Sequence, residues 1–226
     1  MDLICKTPKT NLPGAELLDI QSDDVKAAQE IRKAPLELRV GIPSDAGFIA
    51  TTVMAAMGNE PGQDFQTAFS ASHGYDEIHS ALTWIAAMED TLYSYRNTHV
   101  AVCGDEIAGA IVGYDGARYA ELADRTFSLL AERLGTEKLS PGTETGPGEY
   151  YLDSLYVNPL FRGRSVGSLL MRDELEVAEG LGFTTVSLLV DREKPWLHKL
   201  YSRLGFRMDG EVLFFGELFL RMVQNI

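Results

Sequence analysis

The sequence predicts a mixed α/β fold, with a central and mostly antiparallel sheet flanked by helices. Three observations predict it. From residue 36 onward, short apolar runs that read as strands alternate with longer segments whose apolar residues recur at helical spacing. Gly104-Asp105 separates two of the strands, which is a hairpin signal and therefore an antiparallel pair. Residues 150–171, YYLDSLYVNPLFRGRSVGSLLM, join a strand to an apolar helix through a short glycine-containing loop.

The elements follow in order. Residues 1–35 are mixed in charge and broken by Pro8, Pro13 and Pro35; they read as an N-terminal extension holding one short helix capped by Ser22 or Asp23. LELRVGI, 36–42, alternates like a first strand. Pro43-Ser44-Asp45 opens a helix with Phe48, Ile49, Thr52, Val53 and Met57 on one side. Residues 58–74 are loop-like. Residues 75–96 predict an amphipathic helix through Ile78, Leu82, Ile85, Met88 and Leu92. The hairpin strands follow, then a helix over 117–135. Residues 136–149, TEKLSPGTETGPGE, lack apolar periodicity and predict the most mobile loop. A strand over 150–157 leads into the glycine loop and a helix from about 165 to 181, which Gly182 ends. TTVSLLV, 184–190, is a buried strand. A helix over about 194–204 carries Leu197, Leu200, Tyr201 and Leu204 and stops at Gly205. Two last strands cover about 206–211 and 214–223. With no internal repeat and no shift in composition, 36–226 reads as one domain.

Of the 226 residues, 45% are hydrophobic and 23% charged, as in an ordinary soluble globular protein. No uninterrupted apolar run is long enough to span a bilayer, and MDLICKTPKTNLPG lacks the apolar stretch of a signal peptide. Cys5 and Cys103 are the only cysteines, read as ordinary free thiols in a reducing cytoplasm. Charge is uneven: residues 1–159 hold 11 Lys and Arg against 24 Asp and Glu, while 160–226 hold 9 of each. Such a surface disfavours nucleic acid and attracts cationic partners, and it also serves solubility alone. The expected partner is an amine substrate, with no nucleic acid and no membrane; the sequence leaves a homodimer open.

Chemistry concentrates at Arg162-Gly163-Arg164-Ser165-Val166-Gly167. At a helix start the first amides lack intrahelical partners, and the helix dipole places about half a positive charge there. Gly163 and Gly167 let a ligand approach the backbone, and Arg162 and Arg164 can pair with phosphate. A diphosphate is the natural guest. An ordinary capped loop is the plainer alternative.

These residues resemble the acetyl-CoA-binding motif of the GCN5-related N-acetyltransferase (GNAT) superfamily, Arg/Gln-x-x-Gly-x-Gly/Ala, with Ser165 in place of the first motif glycine. Leu155-Tyr156-Val157-Asn158-Pro159 is similar to the family's central strand and the splay point after it. Leu200-Tyr201-Ser202-Arg203-Leu204-Gly205-Phe206 is similar to its tyrosine-bearing helix and the turn that follows. Residues 1–35 and an insertion at about 117–149 fall outside the resemblance. The resemblance implies that acetyl-CoA, without a metal, binds between two splayed parallel strands, 150–157 and 184–190. Its pyrophosphate would lie on the amides of Arg164, Ser165, Val166, Gly167 and Ser168, beside Arg162 and Gly163. Backbone groups of Leu155, Tyr156 and Val157 would pair with the pantetheine and polarise the thioester. A deprotonated amine would attack, Tyr201 would protonate the leaving thiolate, and Asp153 or Glu149 would take the amine's proton.

Other readings compete. Tyr201 also suits a core position, Asp153 and Glu149 suit structural carboxylates, and His73 and His79 suit structural or exposed histidines. Phe69, Tyr75 and Trp84 could line an acceptor pocket or pack a core. The histidines and cysteines show no metal-ligand spacing. Gly163-Arg164-Ser165-Val166-Gly167 also spells the serine-hydrolase elbow, with Asp191 and His198 downstream in the required order. Pro159 to Arg162 intervene between strand and serine, however, which a sharp elbow does not allow. A non-catalytic acyl-CoA-binding domain would keep the loop and need no Tyr201.

Overall fold

The structure is a computed structural model that describes residues 34–58 and 73–226. The helix expected within 1–35, together with Cys5 and Phe69, lies outside the described residues. The strands are β1 (Leu36–Val40), β2 (Thr98–Cys103), β3 (Glu106–Asp115), β4 (Tyr150–Val157), β5 (Thr185–Asp191), β6 (Arg207–Phe214) and β7 (Glu217–Asn225). The helices are α1 (Ala46–Ala56), α2 (Tyr75–Ala86), α3 (Tyr119–Leu134), α4 (Val166–Gly180) and α5 (Pro195–Arg203). No helix among the described residues is long and apolar enough to cross a membrane.

All seven strands form one sheet in the order β1-β2-β3-β4-β5-β7-β6, and every pairing except β4–β5 is antiparallel. Two cores lie on its two faces. Ile49, Val53 and Met54 of α1, Ile78, Leu82 and Ile85 of α2, and Leu122, Phe127 and Leu130 of α3 fill one with Tyr114 and Tyr151. Val166, Leu170 and Met171 of α4 fill the other with Tyr150 and Leu152, and Leu197, Tyr201 and Leu204 of α5 pack against it.

Two features of β4 position the site. Against β3 the register steps from Val112–Ser154 to Gly113–Leu152, so Asp153 is an extra residue in a β-bulge. The bulge resets the alternation: Tyr150 and Leu152 face the α4 side before it, and Leu155 and Val157 face that side after it. Against β5 the parallel register runs only from Tyr150–Val186 to Leu152–Leu188, although β4 continues to Val157 and β5 to Asp191.

Two expectations are corrected. The helix from Tyr75 ends at Ala86 instead of continuing to 96. Beyond it, side chains take the backbone acceptors: Thr91 Oγ1 donates to the Ile85 carbonyl at 3.1 Å, Ser94 Oγ to Met88 at 2.6 Å, and Asn97 Nδ2 to Thr91 and Leu92 at 3.0 Å. Such bonds favour turns over helix. The loop over 136–149 is pinned instead of loose. Tyr119 Oη donates to the Gly142 carbonyl at 2.7 Å, Phe215 N–H to Pro141 at 2.8 Å, and Tyr151 Oη to Glu144 Oε2 at 2.6 Å. Its glycines and prolines shape a path whose anchors lie far away in sequence.

Candidate active site

Where β4 and β5 part, a cleft of about 360 Å³ opens. Leu155, Tyr156 and Val157 of β4 form one bank, Leu189, Val190 and Asp191 of β5 the other. Leu197, Leu200 and Tyr201 of α5 and Gly167 of α4 border it on one face of the sheet, and Ala55 and Ala56 of α1 on the other. The opening therefore passes through the sheet. Along the parting stretch β4 and β5 no longer pair with each other, which leaves room between them for an extended ligand.

The glycine loop stands at this cleft. Pro159–Phe161 form a 3-10 turn, started by Asn158 Oδ1 accepting from Leu160 N–H at 3.0 Å. Gly163 has φ 81°, and a Cβ there would meet nothing within 4 Å. Ser165 is the N-cap of α4 with φ 61° and ψ 20°, a left-handed conformation that favours glycine. Its hydroxyl makes no capping bond, which leaves the first amides of α4 without a side-chain acceptor. Arg162 lines the cleft. Arg164 does not join it there: its guanidinium donates to the Ala34 carbonyl at 3.0 Å and to Cys103 Sγ at 3.2 Å, and lies 6.0 Å from the Phe161 ring. The arginine expected to pair with phosphate instead ties the loop to the start of β1.

Tyr201 and Asp153 both line the cleft, from α5 and from the β4 bulge. Burial pushes the Tyr201 phenol up to about 12. Asp153 accepts from Tyr114 Oη at 2.8 Å on Oδ2 and from Ser154 Oγ at 2.6 Å on Oδ1. Burial raises its carboxyl above the usual range, against the opposing pull of those two bonds. Behind it, Glu144 is buried, and burial together with the charge of Asp153 pushes its carboxyl well up.

The profile of the acetyltransferase (GNAT) family matches residues 63–206. The chain belongs to that family. An uncharacterized N-acetyltransferase of Methanocaldococcus jannaschii is 36% identical over 75 residues, 33% of this chain and 31% of the relative; the match thus spans about a third of that protein. Among solved structures, an acetyltransferase is 25% identical with a TM-score of 0.69, covering 84% of this chain and 99% of the other. An N-acetyltransferase from Staphylococcus aureus Mu50 shares 20% identity with a TM-score of 0.70, over 83% and 99%. The sheet that parts between β4 and β5 is thus a GNAT fold, and acetyl transfer is the chemistry of this family.

Within this GNAT chain, other expected residues lie elsewhere. Glu149 is not among the residues lining the cleft. Its Oε1 accepts from Thr145 Oγ1 at 2.8 Å and from Gly146 N–H at 3.3 Å, and its Oε2 pairs with Arg221. Arg221 also binds Asp209, so the loop is tied to β6 and β7. His79 Nε2 lies 3.0 Å from Thr51 Oγ1 and 3.1 Å from the Gly47 carbonyl, joining α2 to α1. Trp84 is at the surface under Arg133, 5.5 Å from its ring, and neither Tyr75 nor His73 lines the cleft. The hydrolase triad does not assemble: His198 Nε2 lies 2.9 Å from the Asp191 backbone carbonyl, while the Asp191 carboxylate accepts from Glu193 N–H at 2.8 Å and pairs with Lys194.

The sequence reading missed Glu144, Tyr114 and Trp196. Only Trp196 carried a signal, an aromatic residue off the apolar stripe of its helix.

Proposed function

We propose that this chain is an acetyl-CoA-dependent N-acetyltransferase whose acceptor is a cationic amine, attacking the thioester directly. The observation that carries the reading is the cleft through the parted sheet, which places Asp153 and Tyr201 on one opening.

The residues suit acetyl-CoA. The α4 amides have no side-chain cap, Gly163 leaves open space beside them, and Arg162 adds positive charge, which together favour a pyrophosphate. The parted edge of β4 at Leu155, Tyr156 and Val157 suits an amide-bearing chain that pairs as a strand would. Bound acetyl-CoA supplies an activated acyl group. Asp153 takes a proton from the acceptor nitrogen, and its raised carboxyl makes it a stronger base than an ordinary aspartate. Tyr201 holds its proton throughout the working range and donates it to the sulfur. The dry surroundings that raise the phenol raise a thiolate's proton affinity as well, so donor and acceptor stay matched. Glu149, bound by Arg221, braces the loop in this account.

A cationic acceptor follows from the charge. All of the net negative charge lies before residue 160, and Asp153 lies in that part of the chain. A panel of amines assayed for CoA thiol release tests the reading: cationic amines should turn over fastest, with an advantage that shrinks as salt rises. Equal rates for cationic and neutral amines at low salt would remove the acceptor class, and no thiol release with any amine would remove the activity.

A further inference from the structure

On the rim of the cleft, apart from Asp153, the first turn of α5 presents an indole. Trp196 lines the cleft, yet 62% of its surface is exposed. Its neighbours Leu197 and Tyr201 pack against the core, which accounts for their apolar surface; burial accounts for little of Trp196. Pro195 occupies the first position of the helix, so the backbone that carries the ring starts from a fixed φ. Cations share the rim. Lys194 lines the cleft with its Nζ 3.3 Å from Asp191 Oδ2, and Arg162 lines it from the loop after β4. A flat π-face with Arg162 and Lys194 on one opening, the lysine paired with Asp191, matches a nucleotide, with the base on the ring and the phosphates beside the two cations.

We propose that Trp196 is the stacking platform for the adenine of CoA, with Arg162 and Lys194 beside the adjoining phosphates. The proposal rests on the acetyl-CoA reading above and adds to it a residue for the nucleotide end, which takes no part in the chemistry. It predicts that Trp196 governs affinity for the nucleotide and leaves the acyl-transfer step alone.

The chain holds two tryptophans, Trp84 and Trp196, which makes fluorescence a direct probe. In Trp84→Phe, CoA should quench the remaining indole and pantetheine should not. In Trp196→Phe the quench should vanish while calorimetry still detects CoA binding. Trp196→Ala should raise the KM for acetyl-CoA by about tenfold, as loss of one stacked base does. It should leave kcat, and the KM for S-acetylpantetheine, unchanged. CoA binding to Trp84→Phe without a fluorescence change would overturn the proposal, as would equal weakening of acetyl-CoA and S-acetylpantetheine in Trp196→Ala. Failure of the wild-type chain to bind CoA in calorimetry would overturn the underlying reading and this proposal with it, so the two failures are distinct.

Discussion

The role proposed for Asp153 rests on its place in a bulge. As an extra residue between Leu152 and Ser154 it reaches the cleft, and burial raises its carboxyl. A base must be ionised to accept a proton, so activity should fall as pH drops through that raised value. The acid limb of kcat/KM should therefore lie above the ordinary aspartate pKa of about 3.9. Asp153→Asn should abolish that limb and lower kcat by about 100-fold, read from a pH–rate profile. An unchanged profile would assign the proton to another group. Ser165 illustrates a different constraint. Its left-handed backbone costs a non-glycine residue about 1 kcal/mol. Ser165→Gly should stabilise the fold by up to that amount in denaturant unfolding, since the helix start needs no contribution from the hydroxyl. Destabilisation would mean that the serine makes a contact that matters. The motif made Ser165 visible in the sequence; the bulge at Asp153 was not visible, because it exists only in the register against β3.

At the scale of elements, α4 packs on the sheet with one buried carboxyl among its apolar residues. Glu174 is fully buried, accepts from Tyr150 Oη at 2.7 Å, and fits because Gly113 has no Cβ, which would lie 2.7 Å from Glu174 Oε2. His99 of β2 faces Glu174 Oε1 at 3.9 Å and pairs with Asp173, Glu174's neighbour on α4. Burial raises the Glu174 carboxyl to about 7, with His99 and Tyr150 pulling the other way. The folded chain then binds this proton more tightly than the unfolded one. The stability it confers is full below the ordinary glutamate range and is lost as pH rises through about 7. Glu174→Gln should remove that loss and be more stable than wild type by about 3 kcal/mol at pH 8, but not at pH 4, in parallel denaturant titrations. Equal pH dependence of both proteins would contradict it. Elements themselves were largely legible, since β4, α4 and α5 carry their own apolar patterns. The loop over 136–149 was not, because Tyr119, Tyr151 and Phe215 anchor it from outside its own sequence.

Across the whole molecule, one sheet separates two sets of helices, and the cleft connects their sides. Gly167 of α4 and Tyr201 of α5 reach it from one side, and Ala55 and Ala56 of α1 from the other. In the proposed reaction, cofactor and acceptor would approach from opposite faces and meet between β4 and β5. The elements of the proposed cofactor half were legible because the loop and the tyrosine helix are local motifs. The surroundings of Asp153, with Tyr114 bonded to it and Glu144 buried near by, come from segments that no short motif links. Arg164 shows the same limit: its partner at Ala34 lies 130 residues away. The account stands on Tyr201 acting at the cleft as the acid in acetyl transfer. The direct test measures amine-dependent thiol release from acetyl-CoA by wild type and Tyr201→Phe, with CoA affinity determined for both. The account predicts that kcat falls by about 100-fold while CoA binds equally well. Turnover undiminished in Tyr201→Phe would contradict it.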